Sequence, residues 1–236
     1  VRPIMSEILG SLDLVCAQSS RDAARFLTLG ARSERTTALG NLKHDRFFDD
    51  APDLGTVQRR LADLGWNAAD PVFVAGSTHR GEEKAALAAY AAARLAAPSA
   101  RLILAPRHLE RLGEAEAAIR ASGLSFARWS VAGKSKTMAA DQGGTNVEVL
   151  LLDAVGILPA LYGAARIAFV GGTFAPRGGH NLLEPVRFSI PVLFGPHIDN
   201  VQDVADVLLR SGGGLLLEDP SALTRTLTEL LPDPAR

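Results

Sequence analysis

Four of the five histidines in this 236-residue chain fall in short polar segments that each follow an apolar run. His79 sits in Gly76-Ser77-Thr78-His79-Arg80-Gly81, His108 in Pro106-Arg107-His108, His180 in the stretch from Gly171 to Pro185, and His197 just past Val192-Leu193-Phe194; only His44 stands apart. One imidazole in such a place is usually a surface or cap residue, but four in corresponding places point to a site. Clustered imidazoles are common zinc ligands. Here neither HExxH nor CxxC spacing occurs, and arginine, lysine or glycine stands beside each histidine where a metal centre would want carboxylates. Binding of an anion suits these neighbours better.

Arg107 offers a rigid fork of donors, and charge-assisted bonding from it to a phosphate is worth about 1.5–3 kcal/mol. Gly178 and Gly179 allow close backbone approach to a ligand. Asn181 is expected to open a helix whose free N–H groups and positive dipole end face the same space. That dipole adds only ~0.3–1 kcal/mol, so it would position the anion while Arg107 and Arg177 supply the charge. Glu184, three residues after Asn181, reads either as a helix-start carboxylate or as an acceptor for the paired hydroxyls of a ribose, the task of acidic residues in dinucleotide folds.

Short apolar runs alternate with longer runs of helical period, which is the pattern of a βαβ chain. Strands are predicted over 12–17, 36–39, 72–75, 101–105, 147–152, 167–170, 192–194 and 214–217. Most are too apolar to have a wet face. Helices are predicted over 21–29, 56–64, 81–96, 109–122, 158–164, 181–188, 201–209 and 221–231, four of them stopped by Gly30, Gly65, Gly123 and Gly212. Strands buried on both sides imply a doubly wound parallel sheet with helices on both faces, an α/β fold. In such a sheet ligands sit beyond the carboxyl ends of the strands, which is where the histidines, Arg107 and Asp153-Ala154-Val155-Gly156-Ile157 fall. Residues 41–52 break the alternation and read as a linker, so 1–40 would be a βα unit closing a preceding lobe and 53–236 the main domain. The Gly-rich stretch 133–146 reads as a surface loop.

With 47% hydrophobic and 22% charged residues, the chain is neither disordered nor fibrous. A net charge of −1 provides no global field to gather nucleic acid or anionic lipid, so any anion site must be local. The apolar region 147–172 is interrupted by Glu148, Asp153 and Arg166, so no transmembrane helix is expected. The start, Val1-Arg2-Pro3, has no signal layout and reads as a cut end. The lone Cys16, in Leu14-Val15-Cys16-Ala17, is expected to be a buried structural thiol in a reducing compartment. Ala132-Gly133-Lys134-Ser135 resembles the end of a P-loop, but Arg128 stands where its first glycine should be. GxGxxG is absent after every strand, which argues against a dinucleotide oxidoreductase.

Several stretches together resemble the carboxyl-terminal half of the 3-deoxy-D-manno-octulosonic acid (Kdo) transferases. They are Asp13 to Ser19, Gly40-Asn41-Leu42-Lys43, Gly76-Ser77-Thr78-His79 with Gly81-Glu82-Glu83, Pro106-Arg107-His108, Phe169 to Gly172, Pro176-Arg177-Gly178-Gly179-His180-Asn181 with Leu183-Glu184-Pro185, and Pro191 to His197. Gly-Gly-His-Asn-x-Leu-Glu-Pro is the most specific of these.

The resemblance implies the Rossmann-like carboxyl-terminal lobe of a GT-B glycosyltransferase of lipopolysaccharide assembly. Pro106 and Arg107, Val155-Gly156-Ile157, and Asn181, Leu182, Leu183 and Glu184 would hold the CMP part of CMP-Kdo, and Ser77, Thr78 and His79 would face the donor sugar or its phosphate. The general base of the family is a glutamate of the amino-terminal lobe, so no catalytic residue is expected in this chain and the isolated chain is expected to be inactive. The lipid A precursor acceptor and any membrane contact would come through that other lobe, at the cytoplasmic face of the inner membrane of a Gram-negative bacterium, with this portion soluble. No cofactor, metal or nucleic acid is implied. In place of the family's Gly-Glu-Leu this chain has Gly156-Ile157-Leu158. The alternatives are a UDP-sugar epimerase-like lobe of related architecture and a non-catalytic nucleotide-binding module.

Overall fold

The computed structural model describes residues 2–40, 52–132 and 147–232. The expected linker, apart from Pro52, and the expected loop 133–146 lie outside the described residues, as does His44. The chain divides into two compact units, Val1–Ala51 and Pro52–Arg236.

In the first unit, α1 (Arg2–Ser11), β1 (Val15–Ala17), α2 (Ser20–Thr28) and β2 (Thr36–Ala38) follow in order, the two strands pairing in parallel with Val15 opposite Thr36. Ser19 caps α2 by accepting the Asp22 N–H at 3.0 Å, closing one of the free donors at the helix start. Helix α1 was not anticipated, because Pro3 and Gly10 mask the i, i+4 spacing of Ile4 and Ile8. Cys16 is exposed, contrary to the buried thiol expected. The physical reason is the strand's period of two, which turns Val15 and Ala17 inward and Cys16 outward.

The second unit is built on seven parallel strands in the order β5-β6-β4-β3-β7-β8-β9. They are β3 (Val72–Thr78), β4 (Arg101–Pro106), β5 (Phe126–Arg128), β6 (Val149–Leu151), β7 (Ile167–Val170), β8 (Val192–Phe194) and β9 (Gly214–Leu216). Their apolar sequences follow from burial on both faces. From β3, Phe73 and Ala75 enter one core with Tyr90, Ile119, Leu223 and Leu227, while Val72 and Val74 enter the other with Val57, Leu61, Trp66 and Tyr162. Helix α3 (Leu54–Asp63) precedes β3; α4 (Glu82–Ala93), α5 (Leu112–Ala121), α6 (Leu158–Leu161), α7 (Leu183–Val186) and α8 (Gln202–Ser211) lie between successive strands; and α9 (Pro220–Leu230) follows β9.

Two features position the site. The chain leaves β3 toward β4 on one side and later returns to place β7 on the other, so the strand order reverses between β3 and β7 and the loops after them flank a crevice. Strand β3 also runs past its expected end at Ala75, with a register break between Gly76 and Thr78 that holds Ser77 at φ 53. A left-handed non-glycine residue costs ~1–3 kcal/mol and persists only where its surroundings impose it.

Candidate functional site

The loop after β7 is folded around a carboxylate. Glu82, in the first turn of α4, is 2% exposed. Its Oε2 accepts the backbone N–H groups of His79 and Gly172, each at 2.8 Å. Its Oε1 accepts those of Thr173, Phe174 and Ala175 at 3.0, 2.9 and 3.1 Å. Gly171 makes this approach possible, since a Cβ there would lie 2.5 Å from the Ser77 carbonyl oxygen and 2.7 Å from Glu82 Oε2. A run of convergent backbone amides is the kind of concavity that takes a phosphate. In this protein it is filled by the chain's own side chain. Sequence reasoning treated Glu82 only as part of a family motif.

Next to it, Glu83 accepts a fork from Arg111 at 2.8 and 3.4 Å and the Thr78 hydroxyl at 3.3 Å. Thr78 is therefore buried and faces helix α4, lining neither hollow described below. Gly178 and Gly179, at φ 81 and 83, are also buried, and the space a Cβ would take is occupied by Asn200 and Val201 rather than open to a ligand. Asn200 ties them down, donating from its backbone to the Gly178 carbonyl at 2.9 Å and from Nδ2 to the Arg177 carbonyl at 2.9 Å.

Helix α7 corrects the expected 181–188 helix. It spans only Leu183–Val186. Leu182 drops into the core beside Val170, Val192 and Phe194, which takes the chain before it off the helical path. Four residues make no useful dipole. Asn181 instead closes a side-chain turn, its Oδ1 accepting the Leu183 N–H at 3.1 Å and its Nδ2 donating to Glu184 Oε1 at 3.3 Å.

A cleft of about 340 Å³ opens at the carboxyl edge of the sheet, and Ser77, Pro106, Arg107, Val155, Gly156, His180, Asn181 and Glu184 all line it. Arg107 is anchored by its backbone N–H donating to the Thr78 carbonyl at 3.0 Å, and its guanidinium has no carboxylate partner among the described residues. Burial pushes the Glu184 carboxyl above its ordinary value, against the Asn181 hydrogen bond and the nearby Arg107 charge. Ile157 packs with the apolar cluster under the cleft, and Leu183 does not line it.

A second hollow of about 830 Å³ lies beside the first and shares His180 with it; His79, Arg80, His108, Arg111 and Arg177 also line it. The structure thus places Arg177 here, outside the cleft with Arg107. His79 and His180 stack at 5.0 Å between ring centroids with their Nε2 atoms 2.8 Å apart, and His108 meets His79 edge-on at 5.5 Å. Among the described residues no group of three or more His, Cys, Asp or Glu is placed to hold a metal. His197 lines neither hollow; its backbone N–H donates to the Thr173 carbonyl at 2.9 Å.

Burial, then the neighbouring His79 and Arg107, pulls the His180 ring down from its ordinary 6.5 to about 4; His79 is also lowered, by burial first. Above pH 6.5 the His180 ring is neutral whether the chain is folded or not. Between 6.5 and about 4 the unfolded ring takes a proton that the folded one refuses, so stability falls as pH falls through that window. Glu184 has the opposite sign, holding a proton in the folded state as pH rises past 4.5. The His180→Gln variant is therefore expected to show a flatter decline in Tm between pH 6.5 and 4 than the parent chain; equal slopes would mean His180 does not carry this dependence.

The family described as 3-deoxy-D-manno-octulosonic-acid transferase (kdotransferase) matches residues 1–46. A 3-deoxy-D-manno-octulosonic acid transferase of Bordetella pertussis is 35% identical over 237 residues, 98% of this chain and 52% of that protein. One from Aquifex aeolicus is 34% identical over 219 residues, 93% of this chain and 54% of that protein. The chain spans about half the length of the curated relatives it matches. Among solved structures, the C-terminal CMP-Kdo binding domain of WaaA from Acinetobacter baumannii superposes with a TM-score of 0.66 at 26% identity, covering 77% of this chain and 90% of that one. WaaG, a glycosyltransferase involved in lipopolysaccharide biosynthesis, shares the fold at a TM-score of 0.53 and 13% identity, over 94% of this chain and 54% of that one. Similarity along nearly the whole sequence, joined to a parallel sheet of the GT-B type, makes the chain similar to the Kdo transferases over about half of their length and to the C-terminal CMP-Kdo binding domain of one of them.

Proposed function

We propose that this chain is the donor-binding half of a Kdo transferase, residues 53–236 taking CMP-Kdo and residues 1–40 closing the preceding lobe. The observation that carries the reading is the cleft of about 340 Å³ in which an unpaired guanidinium, a strained serine and a desolvated carboxylate converge. Its size is within the ~300–1,000 Å³ typical of small-molecule sites. Similarity to a domain that binds CMP-Kdo supports the same ligand.

Each group has a task set by its chemistry. Arg107 takes the phosphate, because the amide concavity that could have done so is occupied by Glu82. Glu184 accepts the two ribose hydroxyls, which return to a half-buried carboxylate the hydrogen bonds that burial removed. Val155 and Gly156 border the space left for the base. Gly156 contacts it through backbone, so the absence of the family's glutamate at Ile157 is tolerated.

In the reaction a hydroxyl of the lipid A precursor attacks the anomeric carbon of Kdo. The bond from that carbon to the phosphate oxygen breaks, and its electron pair leaves on CMP as a phosphate monoester. Charge growing on that phosphate is stabilised by Arg107, which needs no reorganisation as the bond breaks. The acceptor and the base that removes its proton belong to the other half, at the cytoplasmic face of the inner membrane; among the described residues no helix is long and apolar enough to cross a membrane. The chain alone accordingly binds donor without transferring sugar, and turnover by the chain alone at the rate of a full-length relative would contradict this.

Calorimetric titration tests the nucleotide directly: CMP binds, and UDP binds more weakly. Preference for UDP would favour an epimerase-like lobe, and no binding of either would leave a structural module. The strain at Ser77 provides a second check. The Ser77→Gly variant relieves a left-handed conformation that costs about 1–3 kcal/mol, so it is expected to melt higher while binding CMP-Kdo more weakly for want of the hydroxyl.

A further inference from the structure

We propose that the larger hollow is a subsite for a carboxylate carried on the donor sugar, gripped by Arg80 and Arg177 above the His79–His180 pair. The inference rests on the assignment of the neighbouring cleft to the nucleotide and extends it to the sugar.

Among the described residues, two of the three arginines lining this hollow carry uncompensated charge. Arg111 is already neutralised by Glu83 at 2.8 Å and by Glu114 at 3.2 Å, which also uses up the one carboxylate that lines the space among the described residues. Arg80 and Arg177 are exposed and have no ion pair among the described residues. The charge of Arg177 reaches the His79 ring, helping to hold it neutral. Between the neutral rings one Nε2 donates and the other accepts, so the pair presents a polar wall without adding charge of its own.

The two hollows share His180 as a common wall. In an activated 2-ulosonic acid the carboxyl carbon is bonded to the anomeric carbon, which also bears the phosphate oxygen. The two anions are thus separated by one carbon and one oxygen. A protein that holds the phosphate on Arg107 must receive the carboxylate immediately next to it, and a second anion site across one imidazole meets that demand. Two guanidinium groups also suit a planar carboxylate, which accepts paired N–H donors.

The same arginines could take a phosphate from the acceptor, so the test separates the sources. The chain and its Arg80→Ala/Arg177→Ala double variant are titrated with CMP and with CMP-Kdo. Both side chains are exposed, and matching melting curves check that the variant folds. CMP is expected to bind both proteins alike. CMP-Kdo is expected to bind the parent chain more tightly than CMP does, with the double variant losing about tenfold or more of that affinity, as removal of charge-assisted bonds predicts. Equal binding of CMP and CMP-Kdo by the parent chain, or an equal loss for both ligands in the variant, would overturn the subsite while leaving the nucleotide cleft intact. Failure of CMP itself to bind the parent chain would count against the cleft. Inorganic phosphate is then added to the CMP-saturated chain: no uptake is expected, and uptake abolished in the double variant would assign the hollow to a phosphate and overturn the carboxylate.

Discussion

Replacing Glu82 with alanine is expected to lower the stability of the carboxyl-terminal unit by ~3–5 kcal/mol, the range for breaking a buried, hydrogen-bonded charge. Five backbone N–H groups would lose their acceptor at once. Each orphaned buried donor costs about 1–3 kcal/mol, but the losses do not add, because the loop relaxes and water enters. At about 2–4 °C per kcal/mol for a unit of this size, the melting temperature should fall by roughly 6–20 °C. Glutamine is not a rescue. Its amide must turn two hydrogens either toward the His79 and Gly172 donors or toward those of Thr173, Phe174 and Ala175, so half the cluster is opposed whichever way it lies. CMP affinity should fall as well, although Glu82 lines neither hollow, because the loop it pins carries His180, Asn181 and Glu184. A Glu82→Gln variant that melts within ~0.5 kcal/mol of the parent chain would show the carboxylate to be dispensable.

The second large effect is on binding. The Arg107→Ala variant should weaken CMP by roughly ten- to a hundredfold, which is the about 1.5–3 kcal/mol of a charge-assisted contact expressed at 1.4 kcal/mol per factor of ten. Stability should hardly change, because the side chain is exposed and its structural anchor is the backbone N–H on the Thr78 carbonyl, which alanine keeps. The Arg107→Lys variant keeps the charge but loses the planar fork, so it should fall between the two. Titration calorimetry reads both. An unchanged dissociation constant in Arg107→Ala would mean that the phosphate lies elsewhere.

Much of this architecture was legible because the central strands are apolar on both faces. Segments such as Val72-Phe73-Val74-Ala75 and Arg101-Leu102-Ile103-Leu104-Ala105 have no wet side, and that dictates a parallel sheet covered twice. What escaped is equally physical. Strand β5 is three residues at the sheet edge, too short for a period to show. The helix expected from Asn181 was overextended because Leu182, Leu183 and Val186 fit helical spacing, whereas Leu182 is buried for the sake of the sheet beneath it. Of the candidate residues, Ser77, Arg107, His180, Asn181 and Glu184 converge on one cleft, since they sit at the carboxyl end of β3, directly after β4 and in the segment that follows β7. Thr78, Gly178, Gly179 and Leu182 turn inward to packing tasks that local pattern cannot reveal. Glu82 was the deepest omission. Two glutamates opening a helix look like ordinary first-turn carboxylates, and only the pairing of β3 with β7 brings amides ninety residues later around one of them.

A structure of the chain with CMP bound tests the central claim most directly. The phosphoryl group should be found on the Arg107 guanidinium with both ribose hydroxyls on Glu184, and the Glu82 carboxylate still enclosed by its five amides. A nucleotide seated on the Gly172–Ala175 backbone in place of Glu82, or bound away from Arg107, would contradict the account.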